Sequence, residues 1–282
     1  MRRKYRASKK TLSFDDISVP RRLIEECVRE NDTFQRYLFD RENYDEVVDR
    51  LTIEYANLGN PKMETKFCEM VRKYSYFPIE AYPDLLKRAF IKLHKDFDSK
   101  KNFNLLPVVD AQGIQSRKVK SSNLVQYLYQ GTFFKTFEGN VSLTRQFSYN
   151  GKYIESHQNN PWIMVDDFVG TGQSFMKSYK YWKKRGIQVK GALVLVSTAE
   201  GFKYLKSELP DDVNIYYAEI VQKVCDNQTV IELSKALGVK QAKDNYCSGV
   251  VVTMARTPNN TVPCFFKKGS KNGRKILPPF VR

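Results

Sequence analysis

One segment of the sequence, residues 162–174, constrains the fold of this chain more than any other. It begins with the apolar run 162–165, continues with the adjacent carboxylates Asp166 and Asp167, and then enters a glycine-containing turn that leads into a helix-like pattern. A short uncharged run bounded by a turn signal is typical of a strand buried in a parallel sheet. The order strand, turn and helix therefore predicts an α/β fold with this turn at the carboxyl end of a strand.

The turn that follows the two carboxylates predicts a binding site for a phosphorylated sugar. Its glycines permit a tight loop, and the N–H groups at the start of the following helix would point at a ligand in that loop. Amide and hydroxyl donors suit a phosphate, whereas the carboxylates would repel it and instead suit sugar hydroxyls or a divalent metal bound to the sugar. The two sets of groups are complementary to a ribose 5-phosphate. The candidate phosphate-binding residues are Val169, Gly170, Thr171, Gly172, Gln173 and Ser174.

Three other interpretations of this segment stay open at the level of sequence. An adjacent Asp pair after a strand also opens response-regulator domains, although those lack the glycine-threonine-glycine turn. A second interpretation is a structural turn that binds no ligand. The third is a Walker-type phosphate loop, but such a loop ends in Gly-Lys-Ser or Gly-Lys-Thr, and Gly172-Gln173-Ser174 has no lysine.

Apolar periodicity divides the chain into a helical N-terminal region and an α/β region. From about residue 16 to residue 97 apolar residues recur every three or four positions and glycine is scarce, which predicts helices. After a polar link at residues 98–102, short apolar runs alternate with amphipathic segments, of which Ser174 to Arg185 is the clearest helix. We therefore expect a helical region at residues 1–100 and an α/β domain at residues 101–282. Strands are predicted at residues 105–109, 162–165, 192–196, 215–221 and 249–254.

A formal net charge of +16 on 282 residues predicts attraction to polyanions such as nucleic acid or phosphorylated metabolites. The basic residues cluster near both ends of the chain, at residues 2–10 and 267–275. Contact with RNA or DNA phosphates, contact with an acidic partner protein and an ordinary solvated surface are all compatible with this pattern.

The composition argues against several other classes of protein. Five cysteines, widely spaced and without a C-x-x-C pair, do not predict a disulfide framework or a zinc site, and we expect reduced thiols. The two histidines, His94 and His157, are far apart in sequence. No apolar run approaches the roughly 20 residues that a membrane span requires, and the basic first residues are not followed by the apolar run of a secretory signal. We expect a soluble, cytoplasmic protein.

Residues 162–175 resemble the phosphoribosyl-pyrophosphate loop of type I phosphoribosyltransferases. In that family two acidic residues after an apolar strand meet the ribose hydroxyls, and a Thr-Gly turn holds the 5-phosphate. The resemblance implies a type I phosphoribosyltransferase-like fold, a mainly parallel sheet flanked by helices, with phosphoribosyl pyrophosphate (PRPP) or a related nucleotide as the ligand. It assigns the catalytic role to Asp166 and Asp167, which would meet the metal indirectly, through Mg²⁺ bound to the ribose.

The same resemblance implies roles for two further stretches. In phosphoribosyltransferases the loop after an earlier strand meets the pyrophosphate, and here the basic stretch after residues 105–109 takes that position. Residues 132–159 correspond in order to the mobile active-site loop of that fold. The candidate pyrophosphate-loop residues are Gln112, Gly113, Lys118, Lys120, Ser121 and Ser122.

In detail the chain is more similar to a divergent phosphoribosyltransferase-like family of bacterial conflict systems, including anti-phage retrons, than to nucleotide-salvage enzymes. The turn carries Phe168-Val169-Gly170 where salvage enzymes usually have a smaller apolar pair and Ser or Ala, and residues 256–263 and 278–282 are similar to the end of that family. The resemblance implies a toxin effector that associates with a reverse transcriptase and its RNA–DNA product, the msDNA. A non-catalytic nucleotide-sensing or nucleic-acid-docking module and a salvage enzyme stay open as alternatives.

Overall fold

The fold contains helices throughout and one main sheet, in a computed structural model that describes residues 14–38, 44–97, 103–109, 121–133, 141–143, 160–240, 251–253, 261–271 and 273–280. The helices are α1 (Phe14–Arg29), α2 (Asp32–Tyr37), α3 (Tyr44–Leu58), α4 (Pro61–Lys73), α5 (Tyr82–Asp96), α6 (Ser121–Phe133), α7 (Gln173–Lys183), α8 (Ala199–Glu208) and α9 (Asn227–Ala236). The strands are β1 (Ser75–Phe77), β2 (Phe103–Pro107), β3 (Val141–Leu143), β4 (Trp162–Val169), β5 (Val189–Thr198), β6 (Asn214–Val221), β7 (Val251–Thr253), β8 (Gly269–Lys271) and β9 (Arg274–Ile276). Two 3-10 helices span Ile79–Ala81 and Pro263–Phe265.

The chain forms two compact units that are interleaved along the sequence. One consists of residues 1–74, 224–247 and 261–282, and the other of residues 75–223 and 248–260. The first unit is mainly helical, and the second contains the main sheet. This division differs from the single boundary expected at residue 100, because α5 belongs to the unit of the sheet and the C-terminal segment belongs to the helical unit.

An aromatic cluster explains why the C-terminal segment belongs to the helical unit. Tyr74 is 1% exposed, and its ring stacks on Phe34 at 5.7 Å between centroids and on Phe280 at 5.1 Å. Phe265 meets the ring of Tyr74 edge to face at 4.9 Å. Aromatic pairs of this kind contribute about 0.5–1.5 kcal/mol each beyond the burial of their area. The cluster therefore ties residues near the end of the sequence to the first helices.

Asparagine caps define two helix starts in the same unit. Asn60 accepts hydrogen bonds from the N–H groups of Lys62 and Met63, and Pro61 occupies the first position of α4, where a missing N–H costs nothing. Asn31 caps α2 in the same way, and its side-chain amide also donates to the carbonyl of Tyr74 at 2.6 Å. The second cap therefore joins α2 to the end of α4 as well as starting a helix.

Glu54 of α3 makes the stability of the helical unit depend on pH. It is 1% exposed, its Oε2 has no hydrogen-bond partner among the described residues, and burial raises its pKa well above the ordinary value. The folded state therefore holds this proton more tightly than the unfolded state. The resulting stability is fully present below the unfolded pKa of about 4.3 and is lost as the pH rises through the raised folded pKa.

We expect Glu54→Gln to remove this pH dependence. The variant should match the wild type near pH 4 and become more stable than it as the pH rises, by up to about 1.4 kcal/mol per pH unit within the window between the two pKa values. Urea unfolding at a series of pH values measures the difference. Glu69→Gln, at an exposed position of α4, is the matched control and should leave the slope unchanged. Parallel pH profiles for wild type and Glu54→Gln would contradict this account.

The second unit is built on a five-stranded sheet, parallel throughout, with the strand order β3-β2-β4-β5-β6. β4 is the central strand, so it is paired on both edges. Parallel neighbours need long crossover connections, and α6, α7 and α8 lie between successive strands of the sheet in sequence. The predicted fold class is therefore confirmed: a mainly parallel sheet flanked by helices, with a helical N-terminal region.

One face of this sheet packs against α7 and α8. Met164 of β4 and Val194 of β5 are buried with Phe175 and Trp182 of α7 and with Leu205 of α8. Each fully buried side chain of this size contributes about 1.5–3 kcal/mol relative to an exposed one. The packing of α7 against the sheet fixes the direction in which its first turn points.

The strands differ from their predicted bounds mainly in length. All five predicted strands are present, but β4 continues to Val169 instead of ending at residue 165, and β5 spans Val189–Thr198 rather than residues 192–196. The three-residue strands β1 and β3 were not predicted, since so short a stretch shows no periodicity. β1 pairs with β7 in a separate parallel sheet, and β8 and β9 form an antiparallel pair. Within the described residues no helix combines the length and apolar character needed to cross a bilayer.

Candidate active site

Strand β4 carries both predicted catalytic carboxylates inside the strand rather than after it. Sheet pairing continues through Asp166 to Val169. Successive strand residues point to opposite faces of a sheet, and burial alternates accordingly, with Asp167 and Val169 buried and Asp166 and Phe168 half-buried. The two carboxylates therefore lie on opposite faces and have different surroundings.

Asp167 is held in the interior by helix α5. Its side chain is 6% exposed, and its Oδ2 accepts a hydrogen bond of 2.9 Å from the hydroxyl of Tyr82, which is fully buried. Burying a charge is costly unless hydrogen bonds compensate for the lost water. The hydroxyl of Tyr82, at the first position of α5, therefore both stabilises and orients the second carboxylate of the pair.

We expect Tyr82→Phe to destabilise the second unit by about 1–3 kcal/mol, because it leaves a buried carboxylate without its donor. Denaturant unfolding followed by circular dichroism measures the loss. Tyr217→Phe is the matched control, since no hydrogen bond from the hydroxyl of Tyr217 is found in the described part of the chain and its ring contacts would remain. Equal stabilities of the two variants would show that the Tyr82 hydroxyl does not support Asp167.

Asp166 is the more accessible carboxylate. It is half-buried, and its Oδ1 accepts a hydrogen bond of 3.1 Å from the backbone N–H of Asp167. By strand alternation it shares a face with Met164, which is the face that α7 covers. Asp166 is therefore the member of the pair placed to meet a ligand that lies at the first turn of α7.

The turn between β4 and α7 depends on glycine at residue 172. Gly172 has a φ of +78°, in the left-handed region that favours glycine, and a Cβ there would lie 2.6 Å from Cδ1 of Tyr204. The first turn of α7 follows directly, with the N–H of Met176 donating to the carbonyl of Gly172 at 3.0 Å. Glycine thus permits both the conformation and the close approach of α8.

The start of helix α8 holds the same turn from the other side. The hydroxyl of Thr198 donates to the carbonyl of Gly170 at 2.5 Å, and its oxygen accepts from the N–H of Gly201 at 2.9 Å. A Cβ on Gly201 would lie 2.1 Å from the carbonyl oxygen of Gly170. The turn therefore sits against the backbone of α8 with no room for a side chain between them.

The first turn of α7 has the properties of an anion site. The N-cap residue Gly172 has no side chain to cap α7, and within the described residues no other side chain bonds the first N–H groups of the helix. Thr171, Gln173 and Ser174 are exposed there. Amide N–H groups at the start of a helix, together with the helix dipole, favour a phosphate. Of the predicted phosphate-binding residues, Gly170, Thr171 and Gly172 form the turn and Gln173 and Ser174 begin α7, whereas Val169 is the buried last residue of β4.

The other predicted site residues are only partly described. Gln112, Gly113, Lys118 and Lys120 lie outside the described residues, as does most of the predicted mobile loop at residues 132–159. Ser121 is exposed at the first position of α6. Ser122 is fully buried, and its hydroxyl donates to the carbonyl of Val108 at 3.4 Å. Ser122 therefore serves the packing of α6 on the end of β2.

The carboxylates of this site fit a Mg²⁺ ion that is bound together with a phosphorylated ligand better than a Mg²⁺ ion held by protein side chains alone. Among the residues that the structure describes, no group of three His, Cys, Asp or Glu side chains is placed to hold a metal. Mg²⁺ commonly binds one or two carboxylates together with substrate phosphates. Asp166 can supply one such carboxylate, whereas Asp167 is buried against Tyr82.

The sequence gives no indication of Tyr82, and the turn expected after the strand at residues 192–196 assigns no role to Thr198 or Gly201. Thr198 follows a predicted strand and stands three residues before Gly201, a spacing typical of a helix N-cap, so this signal was present. Tyr82 lies 85 residues from Asp167 in sequence, in a region for which the sequence predicts only helices, and no local pattern identifies it.

Comparison with known proteins agrees with this geometry. The family model PRTase-CE, a phosphoribosyltransferase-like family, matches residues 56–228, which is more than half of the chain. The chain is also similar to the orotate phosphoribosyltransferase of Aeropyrum pernix, at 18% identity and a TM-score of 0.31 over 56% of this chain and 77% of that one. A second similar structure is the hypoxanthine-guanine phosphoribosyltransferase of Schistosoma mansoni in complex with IMP, at 14% identity and a TM-score of 0.29 over 51% and 64%. At these scores the two structures add nothing to the fold already described. On the family match, the chain belongs to the PRTase-CE family.

Proposed function

We propose that the chain is a phosphoribosyltransferase-like effector that binds PRPP or a related nucleotide and acts at the anomeric carbon of the ribose. The observation that carries this proposal is the turn between β4 and α7, which presents uncapped helix N–H groups beside the half-buried Asp166. Ligands of open parallel sheets bind outside the carboxyl ends of the strands, and this turn follows the carboxyl end of the central strand.

Each group of the site, whether backbone or side chain, has a distinct role in this proposal. The N–H groups of Gln173 and Ser174, with the hydroxyl of Thr171, would bind the 5-phosphate. Asp166 would accept hydrogen bonds from the ribose hydroxyls, and Asp167 would hold the strand end in place through Tyr82. Mg²⁺ bound with the pyrophosphate would neutralise charge on that leaving group. Preorganised donors of this kind stabilise charge where it develops.

Turnover of PRPP tests the enzymatic form of the proposal. The full chain is incubated with PRPP and MgCl₂, with and without nucleobases, and pyrophosphate release and the phosphoribosyl product are followed by chromatography. The proposal expects release that the Asp166→Asn, Asp167→Asn double variant abolishes. Undiminished release in that variant would remove the enzymatic assignment.

A nucleotide-sensing module without chemistry is the second candidate, and one observation favours it. Residues 168–174 contain no ionisable side chain, and Asp167 is engaged by Tyr82. General acid–base catalysis requires a titratable group within hydrogen-bond reach of the reacting atom. Saturable binding of PRPP without any product over long incubation would favour the sensing module.

The biological setting that we propose is a retron of an anti-phage defence system in the bacterial cytoplasm, with a reverse transcriptase and its msDNA as partners. Support comes from the resemblance at residues 162–175 and from the net charge of +16, which suits a complex with nucleic acid. Purification of the tagged chain from its native host tests the partners. Co-purification of a reverse transcriptase with an RNA–DNA hybrid would support the assignment, and purification without nucleic acid would argue against it.

A further inference from the structure

We propose that the solvent-facing side of helix α7 binds the backbone of single-stranded nucleic acid. This inference rests on the nucleic-acid part of the proposed function and not on its nucleotide chemistry. It goes further by placing the contact on a folded helix of the second unit, whereas the sequence suggested only the basic ends of the chain.

Helix α7 and the turn after it carry an unusual concentration of positive charge. No Asp or Glu occurs between Asp167 and Glu200. The exposed cations of this stretch that precede β5 are Lys177, Lys180, Lys183, Lys184 and Arg185. Residues three, four and seven apart share one face of a helix. Lys177, Lys180 and Lys184 therefore form a stripe along the exposed side of α7, and the buried residues of α7 face the sheet.

Among the residues that the structure describes, no acidic side chain pairs with the charges of this stripe. Elsewhere, half-buried arginines of helices pair with acidic side chains, as Arg21 does with Glu25 at 2.9 Å and Arg88 with Glu219 at 2.6 Å. In the described part of the chain, by contrast, no ion pair involves the α7 stripe, and none involves Arg185. An uncompensated row of like charge attracts a polyanion and raises its local concentration.

A guanidinium–aromatic pair at the end of the stripe favours nucleic acid over an acidic protein. The guanidinium of Arg185 lies 3.7 Å from the centroid of the Tyr181 ring, and Tyr181 is partly exposed between Lys180 and Lys184. Unpaired bases stack on aromatic rings and on the planar guanidinium groups of arginines. Bases in a duplex are already stacked, so this feature favours a single strand.

The length of the stripe suits a short run of phosphates. At 1.5 Å per residue, Lys177 and Lys184 are on the order of 10 Å apart along the helix axis, which corresponds to roughly three nucleotide steps of about 3.4 Å. Three or four phosphate contacts of single-stranded DNA predict a slope of log K against log salt of about −2 to −3.

Fluorescence anisotropy with a 5′-fluorescein-labelled 15-mer of mixed-sequence single-stranded DNA tests the inference in the full chain. A quadruple variant of the stripe and Arg185 should raise Kd by about tenfold or more at low salt and flatten the salt slope by about 2 to 3. Its substitutions are Lys177→Gln, Lys180→Gln, Lys184→Gln and Arg185→Gln. The matched control removes four exposed lysines from α4 and α5, at Lys62, Lys73, Lys87 and Lys95. It lowers the net charge equally and should change Kd by less than about threefold, since these lysines are outside the α7 stripe and salt screens charges that do not contact the bound strand.

Tyr181→Leu separates base stacking from charge. It should weaken binding by roughly fivefold or more with the salt slope unchanged, and it keeps a large apolar side chain against the core. Thermal melting establishes that each variant is folded. Equal losses in the α7 variant and its control, or tighter binding of duplex DNA or poly-glutamate than of the 15-mer, would overturn the inference. PRPP binding is measured in a separate titration. A failure of the nucleotide proposal is therefore distinguishable from a failure of α7 to bind single-stranded nucleic acid.

Discussion

Replacing Gly201 with alanine is expected to destabilise the chain and to abolish ligand binding at the turn after β4. Within a helix the change from Gly to Ala ordinarily stabilises by about 1 kcal/mol. Here the added Cβ would lie 2.1 Å from the carbonyl oxygen of Gly170 and 3.0 Å from Cγ1 of Val169. Backbone must move to relieve such a contact, at a cost of about 1–3 kcal/mol or more. The expected change in stability is therefore opposite in sign to the change that helix propensity alone predicts.

Urea unfolding followed by circular dichroism measures this effect, and Gly186→Ala is its control. Gly186 has a φ of +80° and no atom within 4 Å of a built Cβ. Its replacement should cost only the strain of a left-handed alanine, about 1–2 kcal/mol, and should leave ligand binding intact. A Gly201→Ala variant that is more stable than the wild type would show that the turn and α8 are not in close contact.

The double variant Asp166→Asn, Asp167→Asn is expected to weaken PRPP binding strongly. Hydrogen bonds to charged groups contribute about 1.5–3 kcal/mol each, so loss of the bonds that two ribose hydroxyls would donate to Asp166 should weaken binding by roughly 100-fold or more. Asp166→Asn alone should account for most of the loss, because Asp167 is buried and bonded to Tyr82. Isothermal titration calorimetry with PRPP and MgCl₂ measures both effects.

The chain offers a matched control for this pair. Asp211 and Asp212 are also adjacent and are both exposed, so Asp211→Asn, Asp212→Asn removes the same charge from the same unit. The ion pair that this variant removes, between Lys190 and Asp212, is 2.7 Å long and lies on the surface, where such pairs contribute little to stability. It should bind PRPP as the wild type does. Equal weakening in both double variants would mean that total charge, not the β4 site, controls affinity.

Much of the α/β unit could be predicted from sequence because its strands are buried on both faces. Runs such as residues 192–196 are continuous and apolar, and they produce a clear signal. The three-residue strands β1 and β3 give no such signal. The interleaving of the two units could not be predicted either, because it depends on contacts between residues far apart in sequence, such as Tyr74 and Phe280.

The features of the candidate site that depend on local sequence could be predicted, whereas those that depend on tertiary contacts could not. The glycine turn and the helix start are encoded within residues 162–174, and in the structure the turn leads directly into α7. The different surroundings of Asp166 and Asp167 depend on how far β4 extends and on Tyr82, which reaches the strand from α5. Strand length and distant partners are set by packing, which a local pattern does not contain.

The most direct test of the central claim is a calorimetric comparison of PRPP, ribose 5-phosphate and ribose on the full wild-type chain with MgCl₂. The account predicts one saturable site for PRPP, competition by ribose 5-phosphate, and no measurable binding of ribose, because the N–H groups of α7 select the phosphate. Absence of PRPP binding at millimolar concentration, or equal binding of ribose and ribose 5-phosphate, would contradict it.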